Sequence, residues 1–189
     1  SCGKAVKALS PKAGDTVFDM CSSPGGKAFT AAQLMKNKGK ILAFDLYPQR
    51  VKLCEDGALR LGIDIIEAKV GDACVFLPEY KKAADKVLCD VPCSGFGIIG
   101  RKPEIRYKDI AIIDNLLPVQ YNILANAAKY VKSGGTLVYS TCTLSRAENE
   151  GVCEKFLGNN AEFRKISFNT IIPTENGGDG FFFAVCERI

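Results

Sequence analysis

Short apolar runs recur along this sequence, and each of the first four ends at or beside an aspartate. Thr16–Val17–Phe18–Asp19–Met20 follows a turn over Pro11–Asp15. Lys40 to Phe44 runs into Asp45, and Ile63 to Lys69 is closed by Gly71–Asp72. Asp85 to Cys89 leads into Asp90–Val91–Pro92–Cys93. Helical stretches separate the runs, over Lys27–Met35 and Pro48–Leu61. Pro48 suits a first helical turn and Gly62 a stop. Downstream, Leu116 to Val131 reads as a helix stopped by Ser133–Gly134–Gly135. Thr136 to Ser140 reads as a fifth strand ending Thr141–Cys142, and Arg146 to Leu157 as a helix. Phe163 to Ile166 and Phe181 to Cys186 read as strands, with a loop from Asn169 to Gly180 between them. Ser94 to Lys108 is a longer polar loop, and Ser1 to Ala8 reads as a helix already under way.

Strands that are apolar nearly throughout, alternating with helices, imply a mostly parallel α/β sheet covered on both faces. In such sheets ligands bind outside the carboxyl ends of the strands, where the strand order reverses. Chemistry is therefore expected at Asp19–Lys27, Asp45, Asp72, Asp90–Cys93 and Thr141–Cys142.

Composition narrows that chemistry. The chain of 189 residues suits one domain. It has no histidine, which excludes Ser-His-Asp and Cys-His catalysis and any His-ligated metal. Nine cysteines cannot all pair within one chain, and they are too few for a disulfide scaffold. A reducing, cytoplasmic compartment is expected. No C-x-x-C pair occurs, so no metal is expected. No apolar run reaches the roughly 18 residues of a membrane span. The net charge of +4 permits nucleic-acid binding without demanding it.

The first loop, D-M-C-S-S-P-G-G-K, lacks the G-x-G-x-x-G spacing of a pyrophosphate cradle. Gly25–Gly26 still lets the backbone pass close to a ligand. Asp45 stands where a ribose is held, and Asp72 where an adenine amino group can be read. Ribose and adenine readers without a phosphate cradle suit S-adenosylmethionine better than NAD. The plainer alternative is a tight turn with capping aspartates. Among the cysteines, Cys54, Cys74, Cys89, Cys153 and Cys186 read as small buried hydrophobes. Cys21 lines the first loop, and Cys2 has no functional reading. Cys93 and Cys142 differ, because each sits in a turn at the functional edge.

The segments D-M-C-S-S-P-G-G-K, A-F-D-L-Y-P-Q-R, D-V-P-C-S-G-F-G, R-K-P-E-I-R-Y and Y-S-T-C-T-L-S-R-A-E-N-E occur in this order. Together with Asp179–Gly180–Phe181–Phe182 they resemble the motifs of the Sun-type RNA 5-methylcytosine methyltransferases. They resemble in particular the bacterial RsmB branch, which acts on 16S ribosomal RNA. The resemblance runs from about Lys12 to Ile189. It implies a Rossmann-like class I methyltransferase fold with a seven-stranded, mostly parallel sheet. It also implies methyl transfer from S-adenosylmethionine to carbon 5 of cytosine through a covalent cysteine adduct. Cys142 would be the attacking thiol, Cys93 would assist release, Asp90 would contact the cytosine amino group or ring nitrogen, and Lys27 would hold the site electrostatically or contact the nucleotide. Cofactor contacts would come from Cys21, Ser22, Ser23, Pro24, Gly25, Gly26, Lys27, Asp45, Arg50, Asp72 and Asp90.

For RNA, the basic loop carrying Arg101, Lys102, Arg106, Tyr107 and Lys108 suits phosphates and an unstacked base. An ordinary solvated loop is the alternative. The target cytosine must be reached outside a stack. Two departures from the family stand out. Cys21–Ser22–Ser23 replaces the usual Cys-Ala-Ala, and the N-terminal RNA-binding region of family enzymes is missing, so the chain reads as a fragment forming one catalytic domain over 1–189. No oligomer is implied. Other readings are a methyltransferase for transfer RNA or a non-RNA substrate, and a non-catalytic module binding RNA or cofactor.

Overall fold

The structure is a computed structural model, described over residues 2–174 and 178–189. Seven strands form one sheet: β1 (Thr16–Asp19), β2 (Lys40–Asp45), β3 (Ile66–Val70), β4 (Ala84–Asp90), β5 (Val131–Thr141), β6 (Phe163–Ile171) and β7 (Phe181–Arg188). Their order is β3-β2-β1-β4-β5-β7-β6. The first five are parallel, and β7 runs antiparallel to both β5 and β6. The order reverses between β1 and β4, which places the switch point between Asp19 and Asp90.

Alternation within each strand divides its side chains between two cores. Val17, Ile41, Ala43, Leu88, Val138 and Val185 face α1 (Cys2–Leu9), α2 (Gly26–Leu34) and α3 (Pro48–Arg60). Phe18, Leu42, Phe44, Val87, Cys89, Leu137 and Tyr139 face α4 (Ile112–Ala128) and α5 (Val152–Asn159). Both faces being covered, the central strands lack a polar face. Among the described residues, no helix is long and apolar enough to cross a membrane.

Several boundaries differ from the sequence reading. β3 begins at Ile66, because Ile63 donates its amide back to Ala58 and helps end α3 over Gly62. α4 runs from Ile112 to Ala128 rather than Leu116 to Val131, and Pro118 lies inside it. Val131 already pairs with Ala84, and Ser133–Gly134–Gly135 forms an irregularity within β5 before Thr136 meets Lys86. β6 continues to Ile171, pairing Asn169, Thr170 and Ile171 with Phe183, Phe182 and Phe181. The expected loop from Asn169 is thus partly strand. The expected helix over Arg146–Leu157 begins with a π-turn, Ala147–Gly151, before α5.

Candidate active site

The loop after β1 is held by one local backbone bond and one to β2. Gly25 donates to the Ser22 carbonyl at 2.7 Å, and Ser22 donates to the Phe44 carbonyl at 2.8 Å. Gly25 sits at φ 104°, and a Cβ there would lie 2.3 Å from the Phe29 ring. The loop therefore needs glycine both for its turn and for its packing. Pro24 and Gly26 are exposed, Ser23 is half-buried, and Cys21 is half-buried with its thiol pushed well up by burial.

Asp45 is 4% exposed. It accepts from the amides of Ser23 and Tyr47, each at 3.3 Å, and meets Arg50 Nε at 3.5 Å. It thus fastens β2 to the first loop, and Arg50 reaches the site through it. Asp72 is exposed after β3 and caps its own turn, taking the Cys74 amide at 2.8 Å.

The densest cluster lies at the switch point. Lys27, in the first turn of α2, forms an ion pair with Asp90 at the end of β4. Asp90 also accepts from Ser140 Oγ at 2.7 Å. Beyond it, the sulfurs of Cys93 and Cys142 are 3.2 Å apart, each thiol half-buried. A hydrogen bond from Cys93 holds the Cys142 thiol below its ordinary pKa; burial and Asp90 oppose this and Lys27 assists. The same bond, with burial, pushes Cys93 far up. The pair is therefore asymmetric, with a thiolate favoured on Cys142 and the proton kept on Cys93.

One participant escaped the sequence reading of individual site residues. Asp19, at the end of β1, is 1% exposed; its carboxyl makes no side-chain hydrogen bond, and the Cys21 amide only partly offsets its burial. Burial raises its pKa to about 7, against the pull of Lys27 and with the repulsion of Asp90. Its place as the last residue of the first strand puts it at the start of the Asp19–Lys27 stretch where chemistry is expected, but the sequence assigns it no role. Of the cysteines read as packing, Cys54, Cys89, Cys153 and Cys186 are buried, whereas Cys74 is half-exposed.

The basic loop lies beside the thiols. Gly97 donates to the Cys142 carbonyl at 3.0 Å, and Lys108 Nζ donates to the Ser94 carbonyl at 3.0 Å. Arg101 pairs with Asp179 at 3.0 Å. Lys102 and Arg106 are exposed, and Tyr107 is 90% exposed. The structure thus brings Lys108 and Arg101 into internal contacts, and leaves Lys102, Arg106 and Tyr107 facing outward.

A seven-stranded sheet in this order, with one reversed strand and its polar cluster at the switch point, defines the Rossmann-like class I methyltransferase fold. The family model for the 16S rRNA methyltransferases RsmB/F matches residues 6–187, and the chain belongs to that family. It is similar to the probable ribosomal RNA small subunit methyltransferase B of Bacillus subtilis (strain 168), with 45% identity over 97% of this chain and 45% of that protein. It is similar also to the tRNA (cytosine(72)-C(5))-methyltransferase of Pyrococcus horikoshii, with 38% identity over 77% of this chain and 37% of that one. The solved structure of NSun6 from Pyrococcus horikoshii with SFG superposes with a TM-score of 0.88 at 29% identity, covering 99% of this chain and 51% of that one. The chain spans about 45% of the length of the B. subtilis relative.

Proposed function

We propose that this chain is the catalytic domain of an S-adenosylmethionine-dependent RNA cytosine carbon-5 methyltransferase acting on 16S ribosomal RNA. The observation that carries the reading is the Cys93–Cys142 pair at adjacent strand ends, beside the Lys27–Asp90 ion pair. Covalent activation of a pyrimidine ring asks for one thiol to attack and a second group to complete release. The B. subtilis relative, named for ribosomal RNA, favours that substrate over transfer RNA.

Carbon 5 of cytosine is a weak nucleophile. Addition of the Cys142 thiolate to carbon 6 turns the ring into an enamine-like nucleophile at carbon 5. S-adenosylmethionine, when bound, supplies the electrophilic methyl group. Asp90 contacts the ring nitrogen or amino group in this reading while Lys27 balances its charge. After methylation, a base takes the carbon-5 proton, its C–H electron pair re-forms the double bond, and the carbon-6–sulfur bond breaks to return the Cys142 thiolate, with Cys93 assisting that release.

The residues present fit the cofactor. Asp19 offers a buried carboxyl that no side-chain hydrogen bond satisfies, suited to a cationic ligand group. Asp45 stands at the ribose position on β2. Gly26, where a Cβ would meet nothing within 4 Å, lets the backbone of the first loop pass close to a ligand, while Gly25 makes room for Phe29. For RNA, Lys102 and Arg106 are suited to phosphates and Tyr107 to an unstacked base.

The test is methyl transfer from labelled cofactor to 16S ribosomal RNA by the full-length protein. Cys142→Ala should abolish transfer. Cys93→Ala should accumulate a covalent RNA adduct, seen as a shifted band on a denaturing gel. Full turnover by Cys142→Ala would overturn the assignment of the nucleophile.

A further inference from the structure

The half of the site that follows β5 contains a buried carboxylate with no part in the chemistry above. Glu148 lies in the π-turn Ala147–Gly151 and is 0% exposed. A carboxylate is buried at great cost unless its oxygens are satisfied. Here Oε1 accepts from the Ser94 amide at 2.8 Å and from Gln120 Nε2 at 2.9 Å. Oε2 accepts from Ser94 Oγ at 2.6 Å. Gln120 Nε2 also donates to the Pro92 carbonyl at 3.0 Å. Pro92 and Ser94 are the two chain neighbours of Cys93. The Glu148–Gln120 pair therefore grips the backbone on both sides of that cysteine.

The next residue does the same for the other thiol. Asn149, 1% exposed, accepts from Thr141 Oγ1 at 2.5 Å and donates to the Thr143 carbonyl at 3.0 Å. Thr141 and Thr143 are the two chain neighbours of Cys142. The grips are joined where Ser94 Oγ meets Thr143 Oγ1 at 2.9 Å. Tyr139 Oη donates to the Glu148 carbonyl at 2.6 Å and ties the turn to β5. Gly151 donates to the Arg146 carbonyl at 2.9 Å, closing the wide turn that presents consecutive side chains to two different loops.

We propose that Glu148 and Asn149 are positioning residues that set the separation of the two catalytic thiols, one residue fixing each cysteine. The proposal rests on the methyltransferase reading for its effect on turnover, but its effect on the thiols stands without it. With Glu148 gone, Ser94 loses its two hydrogen bonds to it and Gln120 loses a third, and the Cys93 thiol no longer holds its proton against Cys142. A displacement of about 1 Å in a catalytic group costs on the order of a hundredfold in rate.

The closing experiment measures, in the full-length protein, the pH dependence of Cys142 alkylation by iodoacetamide alongside kcat and KM for methyl transfer. Glu148→Ala should move the alkylation midpoint of Cys142 up toward an ordinary thiol. It should lower kcat by about a hundredfold and leave KM for the cofactor unchanged. Glu148→Gln should restore both, because its oxygen still accepts from Ser94 and Gln120, and Ser94 Oγ can turn its proton to Thr143. Asn149→Asp, which loses the donor to Thr143, should not be restored. Should Glu148→Ala fail to fold, Thr143→Val removes the link between the grips without exposing a buried charge, and should shift the profile in the same direction. An unchanged Cys142 profile in a folded Glu148→Ala or Thr143→Val variant would overturn the proposal. So would a loss of turnover that tracks only weakened cofactor binding. Absence of RNA methylation by the unmodified protein would instead overturn the functional reading, leaving the thiol measurement to decide the positioning role.

Discussion

At the residue scale, Asp19 and the cysteine pair show one principle from opposite sides. Burial raises the pKa of every acid it surrounds, and only a specific partner can reverse that. Cys142 has such a partner in Cys93. Asp19 feels Lys27, but burial dominates and its pKa rises to about 7. Because the folded form holds the proton more tightly than the unfolded chain, Asp19 is neutral and harmless below the ordinary carboxylate range. It costs stability as pH rises through 7. One pKa unit is worth about 1.4 kcal/mol. Relative to Asp19→Asn, the ligand-free protein should therefore lose on the order of 4 kcal/mol of stability between pH 4 and pH 8. Urea unfolding of both proteins at several pH values measures this, and parallel curves would refute it. A cationic ligand should draw the proton from Asp19. Affinity for S-adenosylmethionine should then climb with pH up to about 7 in the unmodified chain and stay flat in Asp19→Asn, as read by calorimetry.

At the element scale, the strand ends carried most of what the sequence could tell. Asp45 and Asp90 end β2 and β4, and Thr141 ends β5, as their position after apolar runs implied. Cys93 and Cys142 meet because β4 and β5 are neighbours in register, with Asp90 opposite Ser140. What pattern could not supply was long-range satisfaction of polar groups. Glu148 sits in the polar run R-A-E-N-E, which reads as an exposed helical turn. Its burial follows from Ser94 and Gln120, far away in sequence. The extension of β6 past Asn169 likewise depends on pairing with β7. The loops at the thiols are pinned by a backbone approach that pattern also cannot show. Gly97 donates to the Cys142 carbonyl, and Gly180 donates to Gly97 at 2.6 Å. A Cβ on Gly97 would lie 2.3 Å from the Gly180 oxygen and 2.8 Å from the Cys142 oxygen. Gly97→Ala should thus displace the Cys142 loop and destabilise the protein by about 1–3 kcal/mol, with kcat falling as well. Gly100→Ala, whose Cβ meets nothing within 4 Å, should change neither. Thermal unfolding and turnover of the two variants, side by side, test the contrast.

At the scale of the whole molecule, charge is distributed against the site rather than toward it. The net charge is only +4. Lys12, Lys38, Lys40, Lys82, Lys86 and Lys132 cluster around the amino ends of β1, β2, β4 and β5, opposite the active site. The carboxyl ends hold Asp19, Asp45, Asp72 and Asp90 instead. A phosphate chain approaching the thiols therefore meets the basic loop from Arg101 to Lys108. All four cations of that loop are exposed, but Arg101 is engaged with Asp179 and Lys108 with Ser94, which leaves Lys102 and Arg106 as the two not held by an internal polar contact among the described residues. Each phosphate neutralised on a single strand contributes about −0.7 to the slope of log affinity against log salt. Lys102→Ala and Arg106→Ala should each flatten that slope by roughly 0.7, weakening binding to all sequences alike. Lys12→Ala and Lys132→Ala, on the far edge, should leave the slope unchanged. Equal flattening by the far-edge variants would place the RNA on the wrong face of the sheet for cytosine to reach Cys142, and the loop would lose its role in binding.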